Sequence, residues 1–280
     1  MVNMKKKILL MVYFGLGVMA ETTAQVTVTN PGNTTPALAA TYTSLSLAIT
    51  ALDGITAISG PVTITLTAGN PQTAPIGGYV IQFTATTTAA NNITITGNSN
   101  TISAFTPQAA GSYTDAIFKI IGADYITLQN FTMQENGANT TIAGASNNMT
   151  EWSIALLYAS TTNGAQNNTI QNNTISLNRT YLNSFGIYSN TRHAAATPNT
   201  IADITNNTTA PNSNNKVYSN AISNVNAGIC FIGSDIAANQ DVGNDIAALL
   251  LQRVIPLPTG EPWQRSVSMH PTPLFLMVFL

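Results

Sequence analysis

Charge is what this chain has least of. Nine of its 280 residues are Lys or Arg and eleven are Asp or Glu. Between Val26 and Gly243 the basic residues are Lys119, Arg179, Arg192 and Lys216 alone. No cationic stripe can be assembled from so few, which excludes a nucleic-acid partner. The same scarcity excludes a Lys/Arg-rich amphipathic helix for a membrane surface. Cys230 is the single cysteine, so no intrachain disulfide can form. It sits in AGICFIG and reads as a buried, inert thiol. No His/Cys set at metal-ligand spacing, phosphate loop or nucleophile elbow is present, so neither a metal nor a cofactor is expected.

Low charge is not disorder here. Disordered chains combine high net charge with few apolar residues. This chain carries a formal charge of −2 and is 44% hydrophobic.

Lys5, Lys6 and Lys7 precede an apolar run, ILLMVYFGLGVMA, and small and polar residues follow to Gln25. That order predicts a secretory signal peptide over residues 1–25, cleaved between Ala20 and Val26. The run falls short of the roughly 20 apolar residues of a membrane span. A secreted or cell-surface location is expected, with no stable span after cleavage.

In residues 44–52, SLSLAITAL, Leu45, Ala48, Ile49 and Leu52 share one helical face. Ser44 is the expected N-cap, and Asp53-Gly54 the stop. PVTITLTAG (61–69) then alternates Val62, Ile64 and Leu66 with threonines, the period of a strand. From there a pattern recurs in NNITITGNSNTISAF, ADYITLQNFTMQEN, NNTIQNNTISLN and NNKVYSNAISNV. Leu128, Ile170 and Val217 correspond, as do Met133, Ile175 and Ile222. Between these sets stand Asn130, Asn172 and Ser219, followed by Phe131, Asn173 and Asn220. Apolar strands such as DAIFKIIG and SIALLYAS separate the units.

Repetition at irregular spacing with no helical period between strands indicates a solenoid of stacked coils. The corners explain the asparagines, which fill half of residues 167–178 together with glutamine. Asparagine tolerates left-handed backbone, and stacked carboxamides can hydrogen-bond between coils.

YTSLSLAITALDGITAISGPVTITLTAG resembles the entry of secreted right-handed parallel β-helix proteins of the pectin-lyase-like superfamily, where a helix caps the coil. ITITGNSNTISAF and ADYITLQNFTMQEN resemble their coil repeats. The likeness covers roughly residues 40–235, and its flavour is that of Bacteroidetes cell-surface proteins. It implies a right-handed parallel β-helix over residues 26–243 with an N-terminal capping helix. It leaves activity open, since the superfamily spans lyases, hydrolases, esterases and adhesins. AGNPQTAP stands where esterase-like relatives carry Gly-x-Tyr-x-Glu, and Pro262-Trp263 occurs only in the tail. From residue 244 the coil rhythm stops and proline becomes frequent. That tail, 244–280, is expected to arise from truncation or a shifted frame, making the chain a monomer or a fragment of a larger surface protein.

Two insertions interrupt the rhythm, residues 134–152 and 191–215, and long loops between coils are where function collects. Glu135 and Glu151 are the candidate carboxylate pair. Trp152, Arg179, Tyr188, Arg192 and His193 are the candidate ligand-binding set. Against these roles stand solvated loop charges, an exposed lone histidine and a tryptophan that opens a buried strand. Asp115, Lys119 and Asp124 border one strand pair and read as an outer-face ion pair. Two functions remain open. One is a non-catalytic structural, adhesive or glycan-binding surface protein whose partner is an extracellular polysaccharide or cell-surface glycan. The other is a polysaccharide lyase or glycoside hydrolase acting between the long loops.

Overall fold

The computed structural model describes residues 24–111, 113–143, 146–160, 162–190, 211–233 and 239–247, with the backbone of Leu250–Gln252, Val267–Met269 and Phe275–Phe279. The predicted signal segment lies almost wholly outside these residues, as do Arg192 and His193.

Three parallel sheets account for most of the described chain. The first contains Val62–Leu66, Ile93–Thr96, Ile126–Gln129, Thr169–Gln171, Lys216–Tyr218 and Asp245–Ala247 in that order. The second contains Gln72–Thr73, Thr101–Ser103, Thr132–Gln134, Thr174–Ser176, Ala221–Ser223 and Leu250–Gln252. The third contains Tyr79–Ile81, Ala116–Ile121, Trp152–Leu157, Phe185–Asn190 and Ala227–Ile232. The chain visits first, second and third sheet in unvarying rotation. Each circuit therefore lays one strand beside its predecessor in every sheet. The fold is mostly β, and this arrangement is compatible with an all-β solenoid.

Period-two sequence sets the faces. In Val62–Leu66 the residues Val62, Ile64 and Leu66 are buried while Thr63 and Thr65 are partly exposed. Register then stacks like on like. Ile64 meets Ile95, then Leu128, Ile170 and Val217 follow in adjacent strands. Ile102, Met133, Ile175 and Ile222 form a second column. The correspondences legible in the repeats are thus cross-strand neighbours. All these side chains belong to one continuous core. Burying each contributes about 1.5–3 kcal/mol.

The third sheet differs because both its faces are buried. Its strands read as near-continuous apolar runs rather than alternations, the pattern of a sheet covered on two sides. Phe118, Ile154 and Ile187 join the main core. Trp152, Ala155, Leu157, Phe185 and Tyr188 form a second cluster on the opposite face. Lys119 pairs in register with Ala155, which places it on that second face.

The capping helix is Leu45–Asp53, with Leu45, Ala48, Ile49 and Leu52 buried. Ser44 caps it by accepting the Leu47 N–H at 3.2 Å. Gly54 ends it in right-handed rather than left-handed backbone, at φ −84°. Some elements went unread in the sequence. Val26–Thr29 pairs antiparallel with Val62–Leu66 and covers the exposed edge of the first sheet. At the other end, the first and second sheets gain Asp245–Ala247 and Leu250–Gln252. Both of these strands lie beyond residue 243.

The corners reveal why asparagines come in pairs. Asn167, Asn172 and Asn214 adopt left-handed backbone at φ 58°, 56° and 58°. The asparagine after each one, Asn168, Asn173 or Asn215, turns its side chain toward the preceding coil. The Asn173 Oδ1 accepts the Phe131 N–H at 3.0 Å, and its Nδ2 donates to the Leu128 carbonyl at 3.1 Å. Asn168 spans Ile126 and Ala123 in the same way, and Asn215 spans Asn168 and Ala165. Asn100, Asn220 and Asn244 repeat the geometry after Ser99, Ser219 and Gly243, all at positive φ. In each case one carboxamide bridges a carbonyl and the N–H three residues later, closing a turn it does not belong to. Phe131 interrupts the series. There the preceding turn closes by itself, Asn100 N–H to Gly97 carbonyl at 2.9 Å. Gly97 is required because a Cβ at that position would fall 2.3 Å from the Phe131 ring.

Candidate functional site

Loop residues 105–111 and 113–115 lead into the strand Ala116–Ile121. The insertion 134–152 leads into its parallel neighbour Trp152–Leu157. The two loops meet, and the insertion acts as a clamp. Asn136 Nδ2 donates to the Ala104 carbonyl and Asn139 Nδ2 to the Phe105 carbonyl, at 3.0 and 2.9 Å. Asn147 Nδ2 donates to the Gly111 carbonyl at 2.6 Å.

The two predicted carboxylates organise this junction. Glu151 is 0% exposed. Its Oε2 accepts the Thr114 and Asp115 N–H groups at 2.8 Å each, and its Oε1 accepts the Tyr181 hydroxyl at 3.0 Å. Glu135 accepts the Thr150 N–H and hydroxyl at 2.9 and 2.8 Å, the Asn139 Nδ2 at 2.8 Å and the Asn136 N–H at 3.0 Å. Thr150 also accepts the Gln108 Nε2 at 3.1 Å. Glu135 and Glu151 are thus brought to the same loop base on either side of Thr150. Both are engaged as acceptors of internal donors. Burial raises the Glu151 pKa, and its hydrogen bonds lower it only in part.

Trp152 and Tyr188 stack on one another, ring centroids 4.8 Å apart and planes 13° apart, inside the second cluster. Arg179 is half-buried in the turn that leads to Tyr181. Arg192 and His193 lie outside the described residues.

Sequence reasoning missed Asp115 and Lys119 as parts of a site. An outer-face ion pair was expected, but Asp115 is 4% exposed and Lys119 6%. The Asp115 Oδ2 is buried without a hydrogen-bond partner. Burial first, and then the Glu151 charge, push its carboxyl up to about 7 against the Ala109 N–H and Lys119. Burial likewise lowers the Lys119 pKa, opposed by Asp115 and Glu151. Both side chains line a half-open cavity of about 290 Å³, together with Gln108, Thr114, Phe105 and Pro107. Ile76, 79% exposed, stands at its rim. The clue in the sequence was position. Lys119 interrupts an apolar strand that has no solvent face.

Among the described residues no group of three His, Cys, Asp or Glu could hold a metal ion. Among them, too, no helix is long and apolar enough to cross a membrane. No protein-family model, curated protein or solved structure matches the chain.

Proposed function

We propose that this chain is a secreted or surface-displayed right-handed parallel β-helix of the pectin-lyase-like type, with a structural, adhesive or glycan-binding role and no catalysis. The rotation of the chain through three parallel sheets supports the architecture, and parallel crossover connections are right-handed in about 98% of cases. The observation that carries the functional reading is the state of the two acids. A hydrolytic pair needs one carboxyl to protonate a leaving group and another to face the sugar. Glu135 and Glu151 are instead spent on seven internal hydrogen bonds: four within the insertion, two that tie it to the Thr114–Asp115 backbone and one from Tyr181.

A polysaccharide panel tests this. Binding of at least one polymer without release of new chain ends is the expected result. Depolymerisation that disappears in Glu135→Gln or Glu151→Gln, in protein that still folds, would sink the reading in favour of a glycoside hydrolase or lyase. N-terminal sequencing of the exported protein tests the location, with a new terminus between Ala20 and Val26 expected.

A further inference from the structure

We propose that the cavity between Asp115 and Lys119 is a binding site for a single neutral pyranose unit, gripped through two adjacent hydroxyls. This rests on the glycan-binding reading above and gives it a place.

Three observations converge. The first is an unmet hydrogen-bonding demand. Asp115 Oδ2 is buried with no partner, and buried polar atoms without partners are rare in native proteins. The second is the pairing of opposite chemistries across one space. Asp115 accepts and the Lys119 ammonium donates, and both line the same cavity. A vicinal diol supplies one hydroxyl to donate to the carboxylate and a neighbour to accept from the ammonium. The third is the wall. Phe105 and Pro107 line the cavity and Ile76 stands exposed beside it, offering the apolar contact that the C–H face of a sugar ring takes.

The surroundings favour a neutral ligand over a zwitterion. Burial shifts both groups toward their uncharged forms. Hydroxyls adapt as donor or acceptor to either protonation state, whereas fixed ligand charges would have to be desolvated there. The volume, about 290 Å³, suits one sugar ring at the end or branch of a chain. The site is also held in shape. Glu151 fixes the Thr114–Asp115 backbone, and Thr150 and Glu135 fix Gln108, which also lines the cavity. Glu135 and Glu151 are positioning residues here, acting through Asp115 and the loop rather than on the sugar. Preorganisation of this kind raises affinity by removing ordering costs on binding.

The test is a ligand-observed NMR titration at neutral pH with the methyl glycosides of glucose, galactose and mannose. Tetrahydropyran-2-methanol serves as the ring without vicinal hydroxyls. At least one glycoside is expected to bind and the control is not. Asp115→Asn and Lys119→Met are each expected to weaken binding about tenfold, as loss of one hydrogen bond implies. Ile76→Ala, a change at an exposed rim position, should weaken it about threefold with unaltered unfolding temperature, so a folding defect in the first two cannot decide the matter. If glycosides bind and all three variants bind equally well, the site is wrong while the glycan reading stands. If no glycoside binds but a polysaccharide does, the site is likewise wrong. If neither binds, both fall.

Discussion

Asn220 closes a turn to which Asn173 belongs. Its Oδ1 accepts the Asn173 N–H at 3.0 Å while its Nδ2 donates to the Ile170 carbonyl at 2.9 Å. Asn173 does the same one coil earlier, and both side chains are buried. Carboxamides thus link successive strand–turn–strand units at their turns.

Asn220→Ala removes both partners of a buried carbonyl–N–H pair at once. We expect a loss of about 1–3 kcal/mol by chemical denaturation. Asn220→Asp should cost at least as much, because one carboxylate oxygen would then face the Ile170 carbonyl. Equal stability of wild type and Asn220→Ala would show that the corner bond contributes nothing net.

The residue before each clamp has a different duty. Asn172 is exposed and left-handed at φ 56°. Asn172→Val should destabilise by roughly 1–2 kcal/mol, the penalty for a β-carbon in that region. Asn172→Gly should stay within about 1 kcal/mol of wild type. The contrast, read by thermal unfolding of both variants, separates backbone strain from lost side-chain contacts.

Stability should fall as pH rises toward neutrality. Burial lifts Asp115 and Asp241 from 3.8 to about 7 and Asp53 to about 6. Between about pH 4 and 7 the native state holds protons that the unfolded chain has released. Their contribution is fully present below pH 3.8 and is lost as pH climbs through the native values. The unfolding midpoint is expected to be higher at pH 5 than at pH 8, and Asp115→Asn should flatten the difference.

Cys230 lies in the second cluster, where burial pushes its thiol up to about 12. A thiol reagent at pH 8 should label it at the rate of unfolding, and at once in denaturant. Labelling of native protein as fast as free cysteine would contradict that burial.

Much of this was written in the order of the residues. The alternation of Val62, Ile64 and Leu66 with threonine dictates a strand with one buried face. The Leu45, Ala48, Ile49 and Leu52 spacing dictates a helix buried along one stripe. The recurrence of Leu128, Ile170 and Val217 sets the register, because a slip by one residue would expose the whole column. These are local periodicities, and the chain carries them without help. Three things were decided only when the parallel sheets assembled. Asn172 and Asn173 are identical in sequence, yet one bends the chain and the other clamps the coil before it, since a side-chain bond spanning 42 residues has no local signature. Val26–Thr29 became an edge-covering strand because the first coil left unpaired backbone beside it. Asp115 and Lys119 looked like surface charges because neighbours within a few residues cannot reveal that a sheet is covered on both faces. Burial is a property of the assembled layers, and so is the acid–ammonium cavity that it created.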